Sequence, residues 1–243
     1  MIEITVPYEI GGRSFAGRIV CDEDAAEAGR PVLFMQPDWY GVWPETIAQA
    51  RELAAGRYVV LLADMFGTDY QPETKGFNEL LAGMLAVHKD LGFTLDCGNT
   101  AYERMLTEAR KRGLVQDDAR KFAVGYCAGG GFLMEQARAG AEFDALTVLH
   151  ITNPSPVVPD TPCKVSGRVL AIHGAKDPVT TKPMLTKMED ELTGAGVEWQ
   201  TVLFSNAVHS FCVPSANFEG AQYDEALCRR SYRMMHDFFA ETA

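Results

Sequence analysis

No apolar run in this sequence approaches the length of a membrane span; the longest stretches, such as Val59 to Ala63, are far too short. Positive charge is also scarce. Lys and Arg number 22 against 33 Asp and Glu, a net charge of −11, and the largest basic clusters are Arg110-Lys111-Arg112 and Arg229-Arg230. A surface of that sign repels phosphate backbones, so neither nucleic acid nor a membrane is an expected partner. Met1-Ile2-Glu3 runs directly into alternating, strand-like sequence without a charged-then-apolar leader, so no signal peptide is expected and the reading is a cytoplasmic protein. The six cysteines (Cys21, Cys97, Cys127, Cys163, Cys212 and Cys228) contain no C-x-x-C. In a chain with a core of its own they are expected to be mostly reduced, buried, small apolar residues rather than a disulfide scaffold or zinc knuckle.

What is present is ordinary globular material: 243 residues, 47% hydrophobic and 23% charged. Strand and helix signals alternate along nearly the whole length. Ile2–Ile10 and Ser14–Cys21 flank Gly11-Gly12 as a hairpin. Pro31–Met35 and Tyr58–Ala63 read as buried strands, and Lys121–Gly125, Ala145–Ile151, Arg168–His173 and Trp199–Phe204 as further strands. Between them, helices are expected from Pro44 to a stop at Gly56, with Ile47, Ala50 and Leu53 on one face. Further helices are expected through Phe77–His88, Gly98–Lys111, the segment ending at Ala139, Pro183–Leu192 and Tyr223–Phe239. Such alternation means an α/β fold with a mostly parallel central sheet flanked by helices on both faces. No repeat or linker divides the chain, so 1–243 is read as a single domain.

The sharpest chemical signal is Gly125-Tyr126-Cys127-Ala128-Gly129, which follows a strand and opens a helix. In a nucleophile elbow the central residue sits on a strained turn above the sheet, and the flanking glycines avoid collisions with neighbouring backbone. The usual Ser is Cys here, and no G-x-S-x-G competes elsewhere. The plainer alternative is a glycine-rich turn holding an inert thiol. A Cys nucleophile needs a base, and the base an orienting acid. His88 and His236 fall within expected helices, and His150 lies at the end of an apolar strand, where core packing is the bland expectation. Asp177 follows the strand ending at His173, and His209 follows the strand begun at Trp199. The order nucleophile, acid, histidine at successive strand ends is that of the α/β-hydrolases. No H-E-x-x-H or other compact cluster has metal-ligand spacing, and no cofactor is expected.

With these segments in hand, the chain resembles the dienelactone hydrolase family over nearly its whole length. The likeness is carried by Gly125-Tyr126-Cys127-Ala128-Gly129-Gly130, His173-Gly174-Ala175-Lys176-Asp177-Pro178, Ala207-Val208-His209-Ser210-Phe211, Ala63-Asp64-Met65-Phe66-Gly67 and Tyr223-Asp224-Glu225-Ala226. The resemblance implies a Cys-His-Asp triad of Cys127, His209 and Asp177. It also implies that Asp38, in Gln36-Pro37-Asp38-Trp39-Tyr40-Gly41, takes the place of a Glu that helps ionise the thiol, one methylene shorter. The backbone N–H groups of Trp39 and Ala128 are the implied oxyanion-hole donors. Family members that open dienelactone bind its carboxylate with arginines, one of them shortly after the His-Ser-Phe. Here Phe211 is followed by Cys212-Val213-Pro214. The expected substrate is therefore a small ester or lactone with an apolar acyl site lined by Trp39, Tyr40, Phe66 and Phe211, acted on by a monomer or homodimer. The rival readings are a redox-responsive or binding protein on the same scaffold, or a Cys-dependent acyltransferase or peptidase.

Overall fold

Two glycines with positive φ, Gly11 at 56° and Gly12 at 79°, turn the chain between β1 (Ile2–Ile10) and β2 (Arg13–Cys21). Left-handed backbone at both central positions matches the twist of the flanking strands, which is why two glycines stand there. The antiparallel register then runs from Ile10↔Arg13 to Ile2↔Cys21. The computed structural model describes residues 1–242 and forms two compact units, the first Met1–Ala123 and the second from Val124 onward. Its architecture is α/β with a mostly parallel central sheet and six α-helices among the described residues.

In the first unit β2 pairs antiparallel with β4 (Val59–Leu62), and β4 pairs parallel with β3 (Val32–Gln36). Every residue of β3 and β4 is buried, as the apolar runs Val32–Met35 and Val59–Leu62 require, with Gln36 buried at the end of β3, whereas β1 alternates between buried and exposed positions along its second half. α1 (Pro44–Ala54) starts on its proline and ends before Gly56, which takes φ 71°. Its buried face is Thr46, Gln49, Ala50, Leu53 and Ala54; Ile47 is only half-buried. A short 3₁₀ turn (Pro72–Thr74) precedes α2 (Phe77–Lys89). α3 (Leu91–Lys111) begins a full two turns earlier than the apolar spacing predicts. Asp90 caps it by accepting the Phe93 N–H, so the start lies in cap chemistry rather than in periodicity.

β5 (Lys121–Tyr126) leads from the first unit into the second and is followed at once by α4 (Ala128–Arg138). β6 (Ala145–Leu149), β7 (Arg168–Gly174) and β8 (Trp199–Phe204) then pair in parallel, with α5 (Lys182–Gly194) before β8 and α6 (Glu225–Ala240) at the end. α6 starts at Glu225 rather than Tyr223 because Asp224 caps it, accepting the Leu227 N–H. A two-residue ladder, β9 (Asn217–Phe218) with β10 (Ala221–Gln222), was not legible in the sequence.

The cysteines need one correction. Cys212 and Cys228 form a disulfide, Cα atoms 4.8 Å apart, that ties the loop after β8 to α6. Their spacing carries no motif. The pairing arises because the loop folds back, the Asp224 N–H donating to the Phe211 carbonyl. Cys21, Cys97 and Cys127 are free and buried, and Cys163 is free and half-buried.

The elbow sets a tight steric demand in the second unit. A Cβ on Gly125 would lie 2.5 Å from the Gly129 carbonyl oxygen and 2.7 Å from the Gly130 Cα, with backbone on both sides and nothing able to swing away. Gly125→Ala should therefore lower the urea midpoint by an amount equivalent to about 1–3 kcal/mol. Gly194, on a helix with nothing within 4 Å of its would-be Cβ, gives the contrast: Gly194→Ala should raise stability by about 0.4–1 kcal/mol. A neutral Gly125→Ala would mean that strand and helix can separate at no cost.

Candidate active site

Cys127 takes φ 51° and ψ −114° between β5 and α4. That is a left-handed conformation a non-glycine residue holds only when its surroundings over-determine it, at a cost of about 1–3 kcal/mol. The determinants are visible. The Cys127 N–H donates to the Leu149 carbonyl, and the Cys127 carbonyl accepts from Gly130 (3.1 Å) and Thr152 (2.9 Å). A Cβ at Gly130 would press on Ile151 at 3.0 Å. Ala128 opens the helix, so its N–H is among the first-turn amides that have no partner within the helix, and the positive end of α4 lies beside the thiol.

The loops after β7 and β8 are joined by backbone. Ala175 N–H donates to the Phe204 carbonyl and Lys176 N–H to the Ala207 carbonyl. The approach is close enough that a Cβ on Gly174 would stand 2.5 Å from the Ala207 oxygen. His209 is held by the small β9–β10 hairpin: its N–H donates to the Gly220 carbonyl, and its carbonyl accepts from Gln222. Gly220 is in turn packed against Pro178, at 2.7 Å from a would-be Cβ.

These constraints bring Cys127, His209 and Asp177 into line. Cys127 Sγ lies 3.1 Å from His209 Nε2, and His209 Nδ1 lies 2.7 Å from Asp177 Oδ2. An ionised carboxylate only accepts, so Nδ1 carries a proton and Nε2 is the atom that can exchange one with sulfur. Burial opposes a charged His209, but the Cys127 sulfur and the Asp177 carboxylate outweigh it and push its pKa up to about 10. Burial would likewise raise Asp177, yet the hydrogen bonds from His173 and His209 prevail and hold its carboxyl well below the usual range. Such a set can make a thiolate and return a proton to a leaving group.

Three residues of this neighbourhood had no assigned role in the sequence reading. His173 Nε2 donates to the Thr180 carbonyl (2.9 Å) and lies 3.1 Å from Asp177 Oδ2, so the carboxylate is held by two histidines. Its place four residues before Asp177 at a strand end was the available signal. Thr152 brings its Oγ1 within 3.3 Å of Cys127 Sγ and 3.4 Å of His209 Nε2. Nothing local in the sequence marks it. His150, expected to be a core histidine, is fully buried and meets the rings of His209 and Phe211 edge-on at 5.6 Å and 5.0 Å. Burial, with His209 and His173 nearby, keeps its pKa well below the ordinary value, so it packs as a neutral ring.

The other expected site residues are placed as follows. Phe211 is fully buried between His150 and Phe204, a packing surface behind the histidines rather than an open wall. In the first unit Asp38 is buried after β3, and its Oδ1 accepts the Tyr40 N–H. Trp39 meets Tyr40 and Phe77 edge-on, its carbonyl accepts from Tyr70 Oη, and Phe66 stacks on Tyr70 at 4.6 Å. Asp64 is a scaffold residue: its carboxylate accepts from the N–H groups of Ala16, Phe66 and Gly67. Among the described residues no group of three or more His, Cys, Asp or Glu could hold a metal ion, and no helix is long and apolar enough to cross a membrane.

The Asp177 arrangement predicts an acid limb of stability. A carboxyl with a depressed folded pKa stabilises the fold above its unfolded value, near 3.9, and that contribution disappears as pH falls through the folded value. Asp177→Asn should cost about 1–3 kcal/mol at pH 7, and the gap in urea midpoint between variant and wild type should narrow as pH drops below about 4. A gap that stays constant with pH would show that the carboxylate's charge plays no part.

Comparison with known proteins places this geometry. No curated protein matches the sequence. Among solved structures, one described as m3DLH superimposes with a TM-score of 0.88 at 27% identity, covering 99% of this chain and 98% of its own. P91, described as a dienelactone hydrolase-like promiscuous phosphotriesterase from metagenomic libraries, gives 0.85 at 26% identity over 99% and 98%. A putative dienelactone hydrolase from Klebsiella pneumoniae shares the fold, at 0.75 and 17% identity over 98% of each chain. The family model for dienelactone hydrolases matches residues 15–243, and this chain belongs to the dienelactone hydrolase family.

Proposed function

We propose that this protein hydrolyses carboxylic esters or lactones through a thioester on Cys127, with His209 as base and Asp177 as the acid that orients it. One observation carries the reading: the unbroken line of short contacts from sulfur to carboxylate, 3.1 Å and then 2.7 Å, ending on a strained strand–helix turn. In the first step the Cys127 proton moves to His209 Nε2 and the thiolate attacks the substrate carbonyl carbon. The oxyanion receives N–H bonds from Ala128 and, by family position, from Trp39. The tetrahedral adduct expels the alkoxide, which takes the proton from Nε2 and leaves a thioester. Water deprotonated by Nε2 attacks that thioester, the acid departs, and the thiolate–imidazolium pair returns. Asp38 is assigned, again by family position, to the ionisation of the thiol.

The substrate reading rests on the arginines. None directly follows Phe211, and Arg138, at the end of α4, is buried and engaged with Glu135, Glu191 and the Pro154 carbonyl. A guanidinium so committed has no fork left for a substrate carboxylate. The acyl site is assigned to the aromatic group of Trp39, Tyr40 and Phe66. P91 acts on phosphotriesters, so a neutral triester joins neutral esters and lactones in the substrate panel.

Two outcomes test this reading. Cys127→Ala, His209→Ala and the double variant should show nearly equal residual rates, because both residues serve one proton transfer; multiplicative losses would assign His209 to something else. Neutral esters or lactones should exceed carboxylate-bearing analogues in kcat/KM by about one to two powers of ten, the worth of a missing charge-assisted hydrogen bond of about 1.5–3 kcal/mol. A preference for carboxylate-bearing dienelactone would overturn the substrate assignment and leave the triad standing. Absence of any turnover across the panel by reduced protein would favour a binding or redox-responsive role.

A further inference from the structure

Thr152 is buried, 5% exposed, in the segment after β6. Its backbone N–H is spent on the Cys127 carbonyl. Its hydroxyl faces two groups among the described residues, Cys127 Sγ at 3.3 Å and His209 Nε2 at 3.4 Å, which are themselves 3.1 Å apart. The three atoms form a closed triangle with two protons to share, and the distribution of those protons follows from acceptor strength.

If the pair were neutral, the S–H would point at the single Nε2 lone pair, and the Thr152 O–H would have to compete for the same lone pair or settle for a thiol sulfur, a weak acceptor. If the proton has moved to Nε2, that nitrogen donates to the thiolate, and the hydroxyl has one good acceptor left, the same charged sulfur. Hydrogen bonds to a charged acceptor are roughly twice as strong as neutral ones. Both donors are satisfied only in the charged state.

We propose that Thr152 is a catalytic residue of this site: its hydroxyl donates to the Cys127 thiolate and biases the resting pair toward thiolate and imidazolium before substrate arrives. The inference rests on the triad reading above. The step it favours moves one proton from Sγ to Nε2 and neither makes nor breaks another covalent bond. It also supplies, within the second unit, a donor to the sulfur in a chain whose family carboxylate is shortened from Glu to Asp at position 38.

The test is the pH profile of alkylation by iodoacetamide, followed on the Cys127 peptide by mass spectrometry so that the half-buried Cys163 does not interfere. Thr152→Val keeps the shape and the backbone bond but removes the hydroxyl; Thr152→Ser keeps the hydroxyl. The titratable groups around the pair are His209, Asp177 behind it, and His150 beside it, and all remain in both variants, as does Asp38. Thr152→Val should raise the pH of half-maximal alkylation by about one unit and slow labelling about tenfold at pH 6, the shift that corresponds to losing one charged hydrogen bond. Thr152→Ser should stay within about 0.3 unit of wild type on the same scale. At high pH, where the thiol is ionised in every form, the three proteins should label at similar rates. Should Thr152→Val fail to fold, Thr152→Ala against Thr152→Ser makes the same comparison. A valine or alanine profile that superimposes on wild type, or a serine profile displaced as far as valine, overturns the inference. If wild-type Cys127 is not labelled ahead of the other free thiols, it is the triad reading that has failed instead.

Discussion

The second unit is organised around the carboxylate of Asp177. Both of its oxygens are engaged: Oδ1 accepts from the Val179 and Thr180 N–H groups, and Oδ2 accepts from His209 Nδ1 and shares the His173 Nε2 proton with the Thr180 carbonyl. A buried carboxylate without these partners would carry an unpaired charge, which is among the most expensive defects a protein interior can hold. The loop after β7, the end of β7 itself and the loop after β8 must therefore arrive together. The reactive geometry at sulfur is a consequence of that satisfaction, because the ring whose Nδ1 binds Oδ2 has only Nε2 left to offer.

Strain is concentrated around the same point. Of the five non-glycine residues with positive φ among the described residues, Cys127, His150 and Ser210 belong to the Cys127–His209–Asp177 cluster or adjoin it in sequence or packing. The backbone there is pinned by bonds that leave little room to relax: Cys127 to Leu149, His150 to Ile172, Thr152 to Cys127. The glycines do the complementary work of letting main chain approach main chain, at Gly125 against Gly129 and at Gly174 against Ala207. Behind them, His150, Phe211 and Phe204 meet edge-on in a row, and His150 meets the His209 ring in the same way. The Cys212–Cys228 bridge fastens the same loop to α6 a few residues beyond His209. It also removes Cys212 as a second free thiol close to His209.

The sequence by itself determined the order of elements. The alternation of apolar runs with helical spacing, the Gly11-Gly12 turn, the start of α1 on Pro44 and the glycine-flanked Cys127 all express local chemistry: backbone sterics, capping and burial period. The positions of Asp177 and His209 were also readable, because a strand end followed by a turn displays its side chain in a known direction. Tertiary structure decided which partners those side chains found. Thr152 and His150 have no local signature for the contacts they make, since these depend on distances of 3–6 Å between segments far apart in the chain, and His173 showed only its place at a strand end four residues before Asp177. The Cys212–Cys228 pairing, the β9–β10 ladder and the complete burial of Phe211 were likewise invisible, because each results from a loop folding back on itself. Propensity and periodicity act over a few neighbouring residues, whereas the filling of a carboxylate's hydrogen-bond sites and the position of a proton between sulfur and nitrogen are settled only where several segments converge.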